Sequence, residues 1–336
     1  MEKGLVTVFG ANGFLGHQVV RKLAQDGWRI RAAVRRPHVA QELRVMGSVG
    51  QIQIVQANLR FPDSIAAALN GVDAVVNLAG IFYQQGAQKF DAVHNEGAAS
   101  IADAAKHLGI ANFVHISFLS PGNKSKYALS KARGEKAVKT ALPSADILRP
   151  TLFFGEGDRF FSQLARLARL SWVMPLIGRG KTRLQPVYVG DVASAIAKIL
   201  NTGTHGNVYE LAGSEVYTLK QLLQFTMQTI DRRRFLMPVF WPMAKIMGFF
   251  GEIMSVFSLR LFKPMITRDQ VDLLKTDIVL SDKNLGVLSD KNLGVLSDKY
   301  LGFDDLGIMS KTLESIMPDA LEPYKKYGQF HDQIVS

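Results

Sequence analysis

Residues 5–16 read LVTVFGANGFLG, an apolar run that ends in three glycines at intervals of three residues. The run predicts a short buried strand, and the pattern that follows predicts a helix to Gln25. Gly10 permits a tight turn, Gly13 lets a phosphate approach the backbone, and Gly16 allows the helix to pack closely on the strand. The free N–H groups and the dipole of the helix start also attract an anion. The stretch therefore predicts a loop that binds the pyrophosphate of a dinucleotide.

Strand and helix patterns alternate through the first 150 residues. Further strands are predicted at residues 28–34, 51–56, 74–80, 112–117 and 146–150, with helices between them. This alternation predicts an α/β fold with a parallel, doubly wound sheet and with ligands at the carboxyl ends of its strands. We therefore expect a Rossmann-type NAD(P)-binding domain over residues 1–150, to which residues 184–212 contribute. A smaller C-terminal α/β lobe over residues 151–336 is expected to hold a substrate or a partner.

The composition is that of a globular protein, with 47% hydrophobic and 21% charged residues among 336. There are no cysteines, which excludes disulfides and thiol chemistry and fits a reducing compartment. The seven histidines lack the spacing of metal ligands, so no metal is expected. The net charge of +11 favours an acidic partner, but without a nucleic-acid-binding motif we expect a phosphorylated cofactor, an anionic membrane or an acidic protein. No signal peptide or spanning apolar stretch is visible, which predicts a cytoplasmic protein.

Two arginines, Arg35 and Arg36, end the second predicted strand, close to the adenosine ribose in such a fold. Arginine complements a 2′-phosphate, whereas a carboxylate would accept hydrogen bonds from a free hydroxyl. NADP(H) is therefore favoured over NAD(H), although solvated charges at a strand end are an alternative explanation. Asn58 is placed to hydrogen-bond the adenine. The other candidate cofactor-binding residues lie in the glycine turn or at strand ends: Asn12, Phe14, Leu15, Leu59, Leu78, Ala79, Gly80 and Pro150.

Tyr127 and Lys131 are the candidate catalytic pair. Residues four apart share one face of a helix, so the phenol and the ammonium point into the same space. The lysine cation is expected to lower the pKa of the phenol, which makes tyrosinate a general base near neutral pH. Tyr127 and Lys131 together are also the candidate cofactor contacts that hold the nicotinamide ribose. A surface pair is the alternative. The position on the helix after the fifth strand favours the site.

The joint order of these motifs resembles the extended short-chain dehydrogenase/reductase superfamily. The motifs are Gly-x-x-Gly-x-x-Gly, Asn-Leu-Ala-Gly at 77–80, Tyr-x-x-x-Lys, Leu-Arg-Pro at 148–150 and Val-Tyr-Val-Gly-Asp-Val-Ala at 187–193. The resemblance covers roughly residues 4–215 and implies a nicotinamide cofactor and a C-terminal lobe that closes over substrate. Active members carry Ser or Thr where this sequence has Phe118, with Ser117 one residue earlier and on the opposite face of a strand. Ser117 or Ser120 could still serve if the loop bends back, and Ser117 is the candidate for the catalytic serine and for a cofactor contact.

Within the atypical branch, the sequence resembles the NAD(P)H-binding accessory subunits of respiratory complex I and their bacterial relatives. The stretches that carry this resemblance are residues 113–117, 125–127, 134–136, 154–160 and 267–277. The resemblance implies a nucleotide that is held structurally, without turnover, in a subunit docked near the membrane arm.

An apolar segment, residues 235–262, follows three arginines and ends in a predicted helix. Its charges, Lys245, Glu252 and Arg260, fall on one helical face. Three environments stay open: a membrane interface with the basic residues toward the headgroups, the apolar surface of a partner, or the chain's own core. Residues 279–302 hold an octapeptide in three copies, which we interpret as a duplicated loop.

The leading hypothesis is an NADP(H)-binding, short-chain dehydrogenase-like accessory or assembly subunit of respiratory complex I with a structural cofactor. It would make a peripheral contact on the inner face of the cytoplasmic membrane or its organellar equivalent. The alternative is an active NAD(P)-dependent oxidoreductase or epimerase on a small or lipidic carbonyl, with Tyr127 as the proton donor. A third hypothesis, an adaptor with a vestigial nucleotide site, predicts no bound cofactor.

Overall fold

The computed structural model describes residues 3–120, 122–257, 266–280 and 300–325, except for the side chains of residues 253–257. The octapeptide repeat lies almost entirely outside these ranges, as does the end of the helix predicted within residues 235–262. The interpretation of the repeat as a duplicated loop therefore stays a prediction.

Short strands and helices alternate along the described chain. The strands are β1 (Leu5–Phe9), β2 (Arg29–Val34), β3 (Ile52–Gln56), β4 (Ala74–Asn77), β5 (Asn112–Ile116), β6 (Asp146–Pro150), β7 (Phe153–Phe154), β8 (Val173–Ile177), β9 (Arg183–Leu184), β10 (Val187–Tyr188), β11 (Val208–Leu211), β12 (Tyr217–Thr218) and β13 (Phe235–Val239). The helices are α1 (Phe14–Gln25), α2 (Pro62–Leu69), α3 (Gly97–His107), α4 (Lys126–Ala141), α5 (Phe160–Leu170), α6 (Val189–Thr202), α7 (Leu219–Thr229), α8 (Trp241–Phe257), α9 (Arg268–Leu273) and α10 (Leu313–Leu321). A π-helix, Asp91–Glu96, leads into α3.

The central sheet has seven parallel strands among the described residues, in the order β3-β2-β1-β4-β5-β6-β11. Helices α1 and α6 cover one face, and α2, α3 and α4 cover the other. Strands buried on both faces read as continuous apolar runs, which is why the sequence predicted them. The strand order reverses between β1 and β4, so the ligand crevice of this architecture lies at their carboxyl ends. The predicted α/β Rossmann-type fold is confirmed.

The chain beyond residue 150 contributes to the sheet in two places. β11 pairs with β6 and α6 packs on α1, whereas β9 and β10 pair with β12 and β7 outside the sheet. The segment after the repeat also returns to the Rossmann half, where Leu301 bridges to Tyr209 and Phe303 enters the core. The sequence analysis assigned that segment to the C-terminal lobe, because a single pairing at a sheet edge leaves no periodic pattern.

The C-terminal lobe contains a parallel strand pair, β8 and β13, that the sequence analysis did not predict. Both are short apolar runs interrupted by a proline, Pro175 and Pro238, and periodicity alone cannot distinguish such runs from helix segments. The predicted helix of the apolar segment is present as α8. None of the helices in the described residues is long and apolar enough to cross a bilayer.

Candidate functional site

The glycine turn lies at the point where the strand order reverses. Gly10 has a φ of +78°, its N–H donates to Ala33 O at 3.1 Å, and a Cβ there would lie 3.1 Å from the backbone N of Ala79. Conformation and neighbours therefore both exclude a side chain at Gly10. Gly13 differs, because its backbone is extended and a Cβ would meet only Gly10 O, at 3.2 Å. The space in front of Gly13 is thus open to a ligand.

Helix α1 begins at this turn, with Gly13 at its N-cap position and no side chain capping it. A Cβ at Gly16 would collide with the carbonyl oxygens of Gly10 and Ala11, so glycine is required for the close approach of helix and turn. The free N–H groups at the start of α1 face the same crevice as the open space, which is the arrangement that binds a phosphate.

The residues between these glycines differ in what they offer a ligand. Asn12 is exposed, and the half-buried ring of Phe14 lies edge-on to Phe153 with the ring centroids 6.5 Å apart. The side chain of Leu15 is buried in the core beneath α1, so the predicted contact of Leu15 with a cofactor is limited to its backbone.

Arg35 and Arg36 follow β2 directly and are exposed. Within the described residues, neither guanidinium has a hydrogen bond or an ion pair. Because Gly10 bonds to Ala33, both arginines leave the sheet at the edge that carries the glycine turn. Their charges are therefore free to meet an anion there.

Asn58 and Leu59 follow β3, at the same edge of the sheet. Asn58 Oδ1 accepts from Arg60 N at 3.3 Å, while the amide N–H groups of its side chain have no recorded partner in the described chain. Leu59 packs against Gly97, where a Cβ would come within 2.9 Å of it. The side chain of Leu59 thus supports α3, and its predicted contact with a cofactor falls to the backbone.

The end of β4 is held by buried polar groups. Asn77 Oδ1 accepts from Ala79 N at 3.1 Å, and Asn77 Nδ2 lies 3.1 Å from Nδ1 of His115 on β5. Leu78 and Ala79 are half-buried, and Gly80 is exposed. A Cβ at Gly80 would lie 3.4 Å from Nζ of Lys131, so the structure brings the end of β4 and the lysine of α4 together.

Burial controls the protonation of the groups around Lys131. Lys131 Nζ donates to Ile116 O at 3.0 Å, and desolvation lowers its pKa to about 8. Desolvation, followed by the repulsion of Lys131, also lowers the pKa of His94 to about 2 and of His115 to about 3, so both imidazoles are neutral. The pKa of Tyr127 is raised above its ordinary value, first by burial and then by the carboxylate of Asp269. The expectation that Lys131 lowers the pKa of Tyr127 is therefore wrong, because burial outweighs the neighbouring cation.

Aromatic rings surround Tyr127, which is 7% exposed. Phe82 stacks on its ring at 5.6 Å between centroids, and Phe118 meets it edge-on at 5.3 Å. Phe90 and His94 approach at 5.8 Å and 5.4 Å. The phenol thus lies in a narrow apolar enclosure.

The last two candidate site residues, Ser117 and Pro150, lie at the carboxyl ends of β5 and β6. Ser117 is buried, but its Oγ has no hydrogen-bond partner in the described residues, whereas the ring of the next residue, Phe118, contacts Tyr127. The geometry gives no support to Ser117 as a catalytic residue, whereas an unpartnered Oγ is still available to a ligand. Pro150 is buried at the end of β6 and accepts from Leu119 N at 3.0 Å.

The sequence analysis missed how α9 supports the site. Asp269 accepts from the backbone N–H groups of Lys126 at 2.6 Å and Tyr127 at 3.1 Å, so it caps the first turn of α4. Thr267 and Gln270 form a capping box, which could have predicted the start of α9 but not its contact with α4, some 140 residues earlier.

The turn at the reversal of strand order and the buried tyrosine–lysine pair define a Rossmann-type dinucleotide-binding class of protein. The model of the NAD dependent epimerase/dehydratase family matches residues 6–212, and the chain belongs to this family.

The proteins that are similar to this chain are named for different functions. It is 32% identical to the mitochondrial NADH dehydrogenase [ubiquinone] 1 alpha subcomplex subunit 9 of Arabidopsis thaliana, over 99% of this chain and 81% of that protein. It is 35% identical to the ceramide reductase of Caulobacter vibrioides, over 61% of this chain and 64% of the reductase. Its fold matches the NADPH-dependent quinone oxidoreductase QOR2 of Escherichia coli in complex with NADPH, with a TM-score of 0.66, 20% identity and coverage of 94% and 99%.

Proposed function

We propose that this protein binds NADP(H) tightly and holds it as a structural cofactor in an accessory or assembly subunit of respiratory complex I. The open space in front of Gly13 carries the proposal, because a pyrophosphate needs close access to the start of α1. The residues present fit a nicotinamide dinucleotide: the start of α1 for the pyrophosphate, Arg35 for a 2′-phosphate, and Lys131 for the nicotinamide ribose. Such a cofactor supplies hydride transfer in enzymes.

The role in complex I is supported by the relationship to subunit 9 along nearly the whole chain. We place the protein at the inner face of the cytoplasmic membrane or the organellar equivalent, where that complex works. Pull-down from membranes, with identification of the co-purified nucleotide, tests both parts. We expect complex I subunits and NADP(H) to co-purify with the protein, and a preparation that contains neither would contradict the proposal.

The choice between the two nucleotides rests on Arg35. Replacement of Arg35 by glutamine should weaken NADPH binding by about tenfold to a hundredfold, because one charge-assisted contact is worth roughly 1.5–3 kcal/mol. NADH binding should stay within about twofold, since NADH has no 2′-phosphate. Isothermal titration calorimetry of the nucleotide-free protein measures both affinities.

Arg36→Gln removes the same charge from the same exposed strand end and reports separately on the second candidate for the phosphate contact. An equal loss of NADPH and NADH affinity in Arg35→Gln would show that the arginine acts through general electrostatics and would refute the preference for NADP(H).

The proposed structural role of the cofactor is supported by the environment of Tyr127. A raised pKa keeps the phenol protonated, the rings of Phe82 and Phe118 occupy its neighbourhood, and it makes no hydrogen bond with Ser117 Oγ. The second candidate, a reductase of a lipidic carbonyl, is favoured by the same apolar enclosure and by the ceramide reductase among the relatives. There the protonated Tyr127 would donate the proton to the carbonyl oxygen.

Replacement of Tyr127 by phenylalanine separates these two functions. For a structural cofactor we expect unchanged complex association, a loss of NADPH affinity of no more than about tenfold for one hydrogen bond to the ribose, and no oxidation of NADPH by lipidic ketones or aldehydes in either protein. Nucleotide fluorescence and absorbance measure both quantities. Turnover in the natural protein that falls by about 100-fold or more in Tyr127→Phe would instead establish the reductase, since general acid catalysis contributes factors of that size.

A further inference from the structure

Helix α8 exposes its apolar side, whereas an ordinary surface helix buries that side and exposes its polar one. Met243, Ile246, Met247 and Phe250 recur at the spacing of one helical face and are 57%, 57%, 41% and 59% exposed. The opposite side packs closely, because a Cβ at Gly248 would lie 2.8 Å from Arg268 N on α9. The apolar face of α8 therefore points away from the protein.

The charges of α8 point inward, toward α9. Lys245 Nζ lies 3.0 Å from Asp272, and Glu252 accepts from the backbone and the guanidinium of Arg268 at 2.8–2.9 Å. In the membrane environment that the sequence left open, Lys245 would reach toward lipid headgroups; in the structure Lys245 is paired with Asp272 of α9 instead. Among residues 241–252, the outward face of α8 has no charged side chain.

Further exposed apolar residues lie on the segments next to α8. Leu170 and Trp172 before β8 are 85% and 80% exposed, and Phe235 on β13 and Phe240 before α8 are 68% and 58% exposed. Phe235 N donates to Trp172 O at 3.1 Å, so the two strand starts lie side by side. These four residues and the four outward residues of α8 are called the α8 face below. Exposed apolar patches rimmed by polar residues mark protein or membrane interaction sites.

Two stretches of chain beside the α8 face carry only basic charges. Residues 159–190 contain six Lys or Arg and no Asp or Glu, and residues 232–251 contain four and none. Two of the guanidinium groups stack on aromatic rings of the face: Arg179 lies 5.3 Å from the centroid of Phe240, and Arg234 lies 5.0 Å from that of Trp172. Arginine beside an exposed aromatic ring suits a boundary between an anionic and an apolar phase.

From this geometry we infer that the α8 face inserts into the interface of an anionic lipid bilayer, with the surrounding arginines on lipid phosphates. The inference deepens the membrane-side location proposed above but does not depend on the nucleotide. A bilayer is favoured over a protein surface because, among residues 241–252, the outward face of α8 offers no hydrogen-bonding side chain, whereas protein interfaces carry about ten hydrogen bonds. The basic stretches beside the face also match an anionic lipid surface.

Vesicle flotation of the full chain tests the inference. Binding to vesicles of phosphatidylcholine and phosphatidylglycerol should exceed binding to phosphatidylcholine alone by about tenfold or more, since each basic group near an anionic surface contributes about fivefold. Met243→Asp should lower the binding by about tenfold, because it places a carboxylate in the apolar layer. Met309→Asp is the matched control, since Met309 is 92% exposed on the Rossmann half, and should leave binding unchanged.

The basic groups are tested by the double variant Arg169→Gln with Arg233→Gln, against Lys106→Gln with Lys136→Gln on the Rossmann half. Only the first pair should weaken binding, and added salt should weaken it further. Three outcomes would overturn the inference: equal binding to neutral vesicles, equal binding of Met243→Asp, or a dimer in light scattering that Met243→Asp converts to a monomer. If the protein binds complex I subunits but does not bind vesicles, the α8 face is a protein-docking surface and the inference is also overturned. NADPH affinity, measured for each variant, reports separately on the nucleotide proposal.

Discussion

Replacement of Gly13 by valine should lower NADPH affinity by at least about 100-fold and leave the fold intact. The backbone of Gly13 is extended, with φ −86° and ψ 170°, a conformation that valine adopts readily. The new Cβ approaches a single atom, Gly10 O, at 3.2 Å, so the turn has to shift by a few tenths of an ångström and we expect the fold to survive. The valine methyl groups would occupy the space in front of α1, where two charge-assisted contacts to a pyrophosphate are worth roughly 3–6 kcal/mol together. Calorimetric titration with NADPH and a thermal unfolding curve measure the two effects.

Two other glycines show whether the effect is specific. Gly302→Val is the matched control, because a Cβ there meets a single atom, Glu210 O, at an ordinary 3.9 Å, and it should bind NADPH normally. Gly16→Ala should unfold at a lower temperature with or without nucleotide, since its Cβ collides with backbone oxygens. A Gly13→Val protein with unchanged NADPH affinity would remove the glycine turn from the binding site.

The sequence was sufficient to predict the Rossmann half because its signals are local. Val6 and Val8 on β1 are fully buried, and the glycines follow within the same short stretch, so strand, turn and helix can be read together. The Tyr127–Lys131 pair could be found in the same way, because four residues on one helix fix the spacing of the two side chains.

The environment of that pair could not be predicted, because it depends on contacts distant in sequence. Asp269 reaches the first turn of α4 from α9, and Phe82 and Phe118 approach Tyr127 from two other loops. These groups bury the phenol and raise its pKa, which reverses the direction expected from Lys131 alone.

The orientation of α8 was unpredictable for the same reason. Its sequence shows where the charges lie relative to each other, but not which neighbour holds them. Asp272 and Arg268 on α9 decide that the charged side of α8 faces inward. An apolar face is left outside, which is why the docking surface became visible only in the structure.

Stability should depend strongly on Arg149, which lies between two acidic side chains in the Rossmann half. Its guanidinium contacts Glu135 at 2.6 Å and lies 3.7 Å from Glu210, and all three side chains are at most 7% exposed. Replacement of Arg149 by methionine deprives Glu135 of its cation while the carboxylate stays buried, so we expect a loss of roughly 3–5 kcal/mol in the free energy of unfolding. Urea denaturation at neutral pH measures this loss.

Arg133→Met is the matched control, because Arg133 pairs with Asp91 at 2.9 Å while their side chains are 55% and 49% exposed. A solvated pair of this kind contributes about 0–1 kcal/mol. A loss of stability in Arg149→Met no larger than that in Arg133→Met would show that the burial of the Arg149–Glu135 pair does not matter, and would contradict the prediction.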